Sequence, residues 1–152
     1  MWDGVWFEWL TLPEAAVADK TNARSCVLRV VTANQALLVP ADIGHKEEAL
    51  LLARYGEALH STVLVLGHHG STSSNSSAWL NTVAPKWAIA SSGFQNSYQH
   101  PTSAVQNRLQ AHGIALYRTD LQGASTWLLD DALHKVASKR HRPWWRKKPF
   151  EP

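Results

Sequence analysis

Apolar positions along the chain recur with a period of two in some stretches and near 3.6 in others, and the switches set the expected elements. Residues 2–12 alternate loosely, with Val5, Phe7 and Trp9 on one face, and read as a strand that stops at Pro13. Residues 14–23 read as a loop, and residues 25–32 and 36–39 as a hairpin turning at Asn34 and Gln35. After Pro40, Ala41 and Asp42 the period lengthens. Ala49, Leu50, Leu52 and Ala53 share one helical face, and Gly56 is a natural helix stop. A strand over 59–66 and a serine-rich loop over 71–77 follow, then a short helix over 78–83 that Pro85 ends. Residues 87–90 predict another strand and 91–100 a loop. Pro101 is expected to open a helix that runs to Ala111. Residues 114–117 and 124–129 read as final strands joined by a turn at 120–123.

Strands that alternate with helices from residue 36 onward indicate an α/β layered domain. The stretch VLVLGHHGS, residues 63–71, is its centre: a buried strand that stops at two adjacent histidines framed by glycines. Asp42, His68 with His69, and His100 each follow an expected strand. Loops at one end of a sheet converge, so these side chains are expected to meet although they lie far apart in sequence.

One carboxylate with two or three imidazoles suits a divalent ion such as Zn²⁺ or Mn²⁺. Such an ion lowers the pKa of bound water and polarises a phosphoryl or carbonyl oxygen. No cysteine lies near the cluster, which excludes a structural thiolate zinc site. A triad of Ser71, His69 and Asp42 lacks the strand–elbow–helix setting of a hydrolase nucleophile.

Composition narrows the class. A chain of 152 residues, 45% hydrophobic and 18% charged, suits one soluble globular domain. No apolar segment approaches the roughly 18–20 residues of a membrane-spanning helix, and the first residues lack the pattern of a secretory signal. The single cysteine, Cys26, rules out an internal disulfide and reads as a small core residue. His45 and Glu48, at the start of the first helix, read as outer partners of Asp42 or as an exposed helical pair.

Charge is uneven. The net charge is +3, yet Lys135, Lys139, Arg140, Arg142, Arg146, Lys147 and Lys148 follow one another with no acid between them. Residues 135–152 are expected to be a poorly ordered basic tail behind a domain at 1–134. Trp144 and Trp145, interleaved with the tail's cations, give it the composition of a segment that neutralises phosphates and stacks on bases, or lies on an anionic membrane surface.

GHHGSTSS after an apolar strand, a strand-end aspartate before a helix with Glu47 and Glu48, SSGFQNSYQHP and YRTDLQGA occur in this order. Together they resemble the C-terminal metallo-β-lactamase-like domain of ComEC-type competence proteins, the membrane proteins of bacterial DNA uptake. The resemblance runs over about residues 7–129. It implies the second half of an αββα sandwich, a layered mixed sheet with helices. Asp42 matches a metal-bridging aspartate, His100 a late strand-end histidine, and His68 with His69 the HHGS loop, with Asn96 and Tyr98 shaping the loop around His100. The implied activity is metal-dependent phosphodiester cleavage of the DNA strand that is not imported.

The implied partners are DNA, the membrane through the parent protein, and the upstream half of the same domain. The implied setting is a soluble domain of a bacterial inner-membrane protein, on either side of the membrane. The family's His-x-His-x-Asp-His motif is absent here, so the isolated chain is expected to hold an incomplete site, to be inactive and to bind no metal. Ala41 and Gln99 stand where the family usually has glycine. The alternative is a non-catalytic nucleic-acid- or partner-binding module on the same fold.

Overall fold

The computed structural model describes residues 1–12, 21–129 and 134–139. Six strands form one mixed sheet: β1 (Trp6–Leu10), β2 (Val27–Val31), β3 (Ala36–Val39), β4 (Val63–Val65), β5 (Trp87–Ala90) and β6 (Ala115–Arg118), side by side in sequence order. The first three are antiparallel meanders; β3, β4, β5 and β6 run parallel. Parallel neighbours require crossovers, and helices α1 (His45–Tyr55), α2 (Ser77–Val83) and α3 (Ser103–Ala111) supply them. The first strand is shorter than the alternation implied, because residues 2–5 close on themselves through paired Trp2 and Val5 backbone bonds of 2.9 Å.

The two faces of the sheet have different fates. Leu38, Leu64 and Ala88 are in register across β3, β4 and β5, and they join Leu51, Trp79, Leu80, Val83, Val105 and Leu109 of the three helices in one buried core. Side chains alternate along a strand, so the next register row faces the other way. That row is Phe7, Val30, Leu37, Val63, Trp87 and Ala115, apolar across all six strands. No helix of the core sits on it.

A second, two-stranded sheet begins to cover the opposite face. A single helical turn, α4 (Thr119–Gln122), leads into β7 (Ala124–Leu128), which pairs antiparallel with β8 (His134–Lys139). Trp127 of β7 meets Trp87 and Tyr117 edge-on, with ring centroids 5.3 and 6.0 Å apart. Coverage is confined to that end: Phe7 is 49% and Trp9 64% exposed at the β1 edge. The exposed tryptophans near the N-terminus therefore border an apolar face that has sheet packed on one end.

Several expectations are corrected. Residues 124–128 leave the main sheet for the second one, because α4 turns the chain out of plane. Residues 134–139 form β8, paired with β7. Pro101 precedes α3 without entering it; Thr102 is the helix N-cap. Cys26 is exposed, since it sits just before β2 and the buried position there belongs to Val27. The expected loop residues 14–20 and the tail residues Arg140, Arg142, Trp144, Trp145, Arg146, Lys147 and Lys148 lie outside the described residues.

Candidate functional site

The parallel strands β3, β4 and β5 end at the same edge of the sheet, and the loops that leave them carry the predicted side chains. Asp42 follows β3, His68 and His69 follow β4, and His100 follows β5. Nε2 of His69 lies 3.9 Å from Oδ1 of Asp42. The ring of His68 stands 6.5 Å from that of His69 and 6.0 Å from that of His100, centroid to centroid.

Backbone geometry makes the histidine pair unusual. His68 (φ 49°, ψ 43°) and His69 (φ 57°, ψ 14°) are consecutive left-handed residues, a conformation that costs a non-glycine residue roughly 1–2 kcal/mol. The surroundings hold it in place. The His68 amide donates to Ala41 O (2.9 Å), and the Ser71 amide returns to His68 O (3.0 Å). The Asn75 side chain grips Gly67 from both sides, accepting from its N–H at 2.9 Å and donating to its carbonyl at 3.0 Å.

His69 is oriented by its other nitrogen. Nδ1 lies 2.7 Å from the carbonyl oxygen of Ser91, and a carbonyl only accepts, so Nδ1 carries the proton. In the neutral ring Nε2 then presents its lone pair toward Asp42, the arrangement that second-sphere carbonyls impose on functional histidines. His69 Nε2 is thus the imidazole nitrogen beside Asp42, while His68 lines a cavity with the same aspartate.

His100 is held by Asn96, which accepts from the His100 amide (2.7 Å) and donates to its carbonyl (2.8 Å). This matches the loop-shaping role the resemblance gave Asn96. Burial lowers the His100 pKa below the ordinary imidazole value, and repulsion from His68 and His69 lowers it further. Tyr98 stacks on the same ring.

Glycine at the end of the loop joins the two histidine segments. Gly70 has φ +89°, and a Cβ built there would lie 2.6 Å from Pro101 Cβ and 2.9 Å from Pro101 Cα. Its carbonyl accepts from the Thr102 amide (3.0 Å) and hydroxyl (3.2 Å). The residues flanking His100 thus dock directly on the HHG backbone.

Ala41 (φ 53°) and Gln99 (φ 57°), each just before a site residue, are also left-handed. These are the two positions at which glycine was expected from the resemblance. Ala41→Gly and Gln99→Gly should each raise stability by about 0.5–1 kcal/mol, or roughly 2–3 °C in melting temperature. A lowered melting temperature in both variants would refute this account of the two turns.

Glu48 corrects an expectation. It is neither an outer partner of Asp42 nor an exposed residue: it is 1% exposed, and its carboxylate accepts from the backbone amides of Asn75 and Ser76, the latter at 2.9 Å. Arg108 of α3 donates to the carbonyls of Ser74 and Asn75 from the other side. The serine-rich loop that presents GHHG is therefore pinned between two helices. His45 lines a cavity of about 330 Å³ that also opens on Asp42 and His68.

Sequence reasoning gave no role to Thr119, whose hydroxyl accepts from the Ser92 amide (2.9 Å) and lies 2.9 Å from Ser92 O and 3.2 Å from Ala90 O. A threonine at a strand end carries no pattern signal of its own.

The donor types suit a divalent cation, but their convergence is incomplete. A tetrahedral ion brings two donors to about 3.3 Å from one another. Asp42 and His69 stand wider than this, and among the described residues no three His, Cys, Asp or Glu side chains surround one point.

No family model matches the chain. It is 52% identical over 151 residues to Competence protein ComA of Neisseria gonorrhoeae, covering 99% of this chain and 22% of that protein. Recombination protein 2 of Haemophilus influenzae is 32% identical, over 95% of this chain and 18% of its own length. ComE operon protein 3 of Bacillus subtilis is 33% identical, over 73% of this chain and 14% of its own length. The chain thus spans less than a quarter of each of these relatives. The ordered motifs, their strand-end geometry and this similarity agree: the chain belongs, as a domain-sized segment, to the ComEC-type competence proteins.

Proposed function

We propose that this segment contributes to DNA uptake by supplying part of a metal-dependent phosphodiesterase site in a longer parent protein. The observation that carries the reading is the placement of Asp42, His68, His69 and His100 on the loops that leave adjacent parallel strands, with Asp42 3.9 Å from His69 and the ring of His68 6.0 Å from that of His100, at the end of the sheet where α/β folds bind ligands. His69, fixed through Ser91, would hold its Nε2 ready to ligate or to take a proton, with Asp42 beside it as an acceptor. The remaining donors for a zinc or manganese ion would come from outside the described residues. The substrate would be the DNA strand that is not imported.

The apolar second face of the sheet supports the same division. Its row of branched and aromatic side chains suits a second sheet packed about 10 Å away, and Trp127 of β7 already packs against it. The upstream half of the same domain is the proposed cover. Among the described residues no helix is long and apolar enough to cross a membrane. Anchoring in a bacterial inner membrane would therefore fall to other segments of the parent. The basic tail is proposed as an auxiliary nucleic-acid contact.

A second reading has one observation in its favour. Because no three donors converge among the described residues, the same fold would serve as a non-catalytic module that contacts nucleic acid or a partner. Metal content separates the two. Dialysis of the parent-length protein against Mn²⁺ or Zn²⁺, followed by elemental analysis, should show bound metal. Asp42→Ala and His100→Ala should each weaken that binding about 10–100-fold. Unchanged metal content in both variants would leave the second reading standing.

A further inference from the structure

The loop after β5 presents a surface that the hydrolytic reading does not use. Tyr98 is 78% exposed, and its ring lies nearly parallel to that of His100, 5.7 Å between centroids and 25° between planes. One aromatic face is thereby held in place while the side chain remains open to solvent. A large exposed aromatic ring, fixed beside a candidate reaction centre, is a stacking platform.

His100 also lines a cavity of about 350 Å³ together with Gln95, Gln99, Gln106, Arg118 and Asp120. Its charge is already neutralised. Arg118 is clamped in a two-pronged pair with Asp120, at 2.7 and 3.1 Å, and its third nitrogen reaches Gln106 at 3.4 Å. An arginine engaged in this way has little left for a phosphate. The side-chain amides of Gln95 and Gln99 make no hydrogen bond among the described residues, and each offers a donor and an acceptor. That is the chemistry that reads the edge of a nucleobase.

We infer that Tyr98 and the Gln95–Gln99 pocket bind unpaired nucleobases of a single strand that passes His100, Tyr98 by stacking and the amides by hydrogen bonds to base edges. This rests on nucleic acid being the substrate class and adds the strand's form and its contacts. Bases inside a duplex present no free face to Tyr98, so the surface selects unpaired strand. The neutral pocket directs specificity to bases and leaves the phosphates to other groups.

The test is fluorescence anisotropy with the full chain at fixed salt. The probes are a short oligothymidylate, the same strand with abasic sites, and the duplex it forms with oligodeoxyadenylate. The wild-type chain should bind the base-bearing strand about tenfold more tightly than the abasic strand or the duplex. Tyr98→Ala should erase that difference, Tyr98→Phe should keep it, and Gln95→Ala with Gln99→Ala should reduce it severalfold with the melting temperature unchanged. Equal affinity for the base-bearing and abasic strands, an unaltered preference in Tyr98→Ala, or no binding to any probe would overturn the inference. Metal content fails independently. A parent-length protein that takes up no metal while the chain keeps the Tyr98-dependent preference loses the hydrolase reading and retains this one.

Discussion

Gly70→Ala should destabilise the chain by about 3 kcal/mol or more and should displace His100 from the histidine loop. Two effects combine. At φ +89° an L side chain is strained whatever space is available, and here there is none: the new Cβ would meet Pro101 Cβ at 2.6 Å, Pro101 Cα at 2.9 Å and Leu66 Cδ1 at 3.3 Å. Pro101 is ring-closed backbone and cannot swing aside, so the segment carrying His100 must lift away. The carbonyl of Gly70 would then lose its bonds from Thr102. Gly67→Ala is the internal control. A Cβ there finds its nearest neighbours at 3.5–3.6 Å, ordinary contact, and should cost under about 1 kcal/mol. Equal melting temperatures for the two variants would show that the Gly70–Pro101 contact does not hold the loops together. Chemical-shift changes confined to residues 67–71, sparing 99–102, would point the same way.

Glu48→Ala carries the second large effect, an expected loss of about 3–5 kcal/mol. The buried carboxylate accepts from the adjacent amides of Asn75 and Ser76, one through each oxygen. Alanine leaves the buried Asn75 amide and the part-buried Ser76 amide beside a void. Asn75 is left-handed (φ 61°) and grips Gly67, so a loosened Asn75 also frees the start of the GHHG turn. Glu48→Gln keeps the shape but sets an NH₂ group against one of the two amides, and should lose about 1.5–3 kcal/mol. Denaturant unfolding measures the stability, and hydrogen exchange at the Asn75 and Ser76 amides reports the local release. If Glu48→Ala unfolds within 1 kcal/mol of the parent and both amides stay protected, the carboxylate is not what pins the loop.

Much of this was legible in the chain. The apolar runs of β2 to β6 each stand out over their own few residues, whereas the face expected for α1 was wrong: Ala49 and Ala53 are exposed, and Glu48 and Leu51 turn inward. Strand-end placement alone brought Asp42, His68, His69 and His100 to one edge, because parallel strands with helical crossovers must all end there. Three things were not legible, each for a physical reason. Glu48 looks like any acid on the first turn of a helix; its partners are backbone amides 27 and 28 residues away, which have no side-chain signature. The departure of β7 from the main sheet depends on α4, a single turn too short to show a period. Pro101 fits a first helical turn as well as it fits the position before an N-cap, and only the docking on Gly70 decides between them.

The apolar row on the open face of the sheet bears on how the parent protein is assembled. A covering segment tethered on the same polypeptide meets that face at an effective concentration in the millimolar range. Covalent connection then makes a weak intrinsic fit sufficient, and neither surface needs to be optimised as an independent binding partner. Supplied as two separate chains, the same surfaces would have to find one another at cellular concentrations, orders of magnitude lower. If the cover is the upstream segment proposed above, cutting the chain between the two would dissociate a domain whose contacts were all still present, and rejoining them with a flexible linker would restore it without any change of residue.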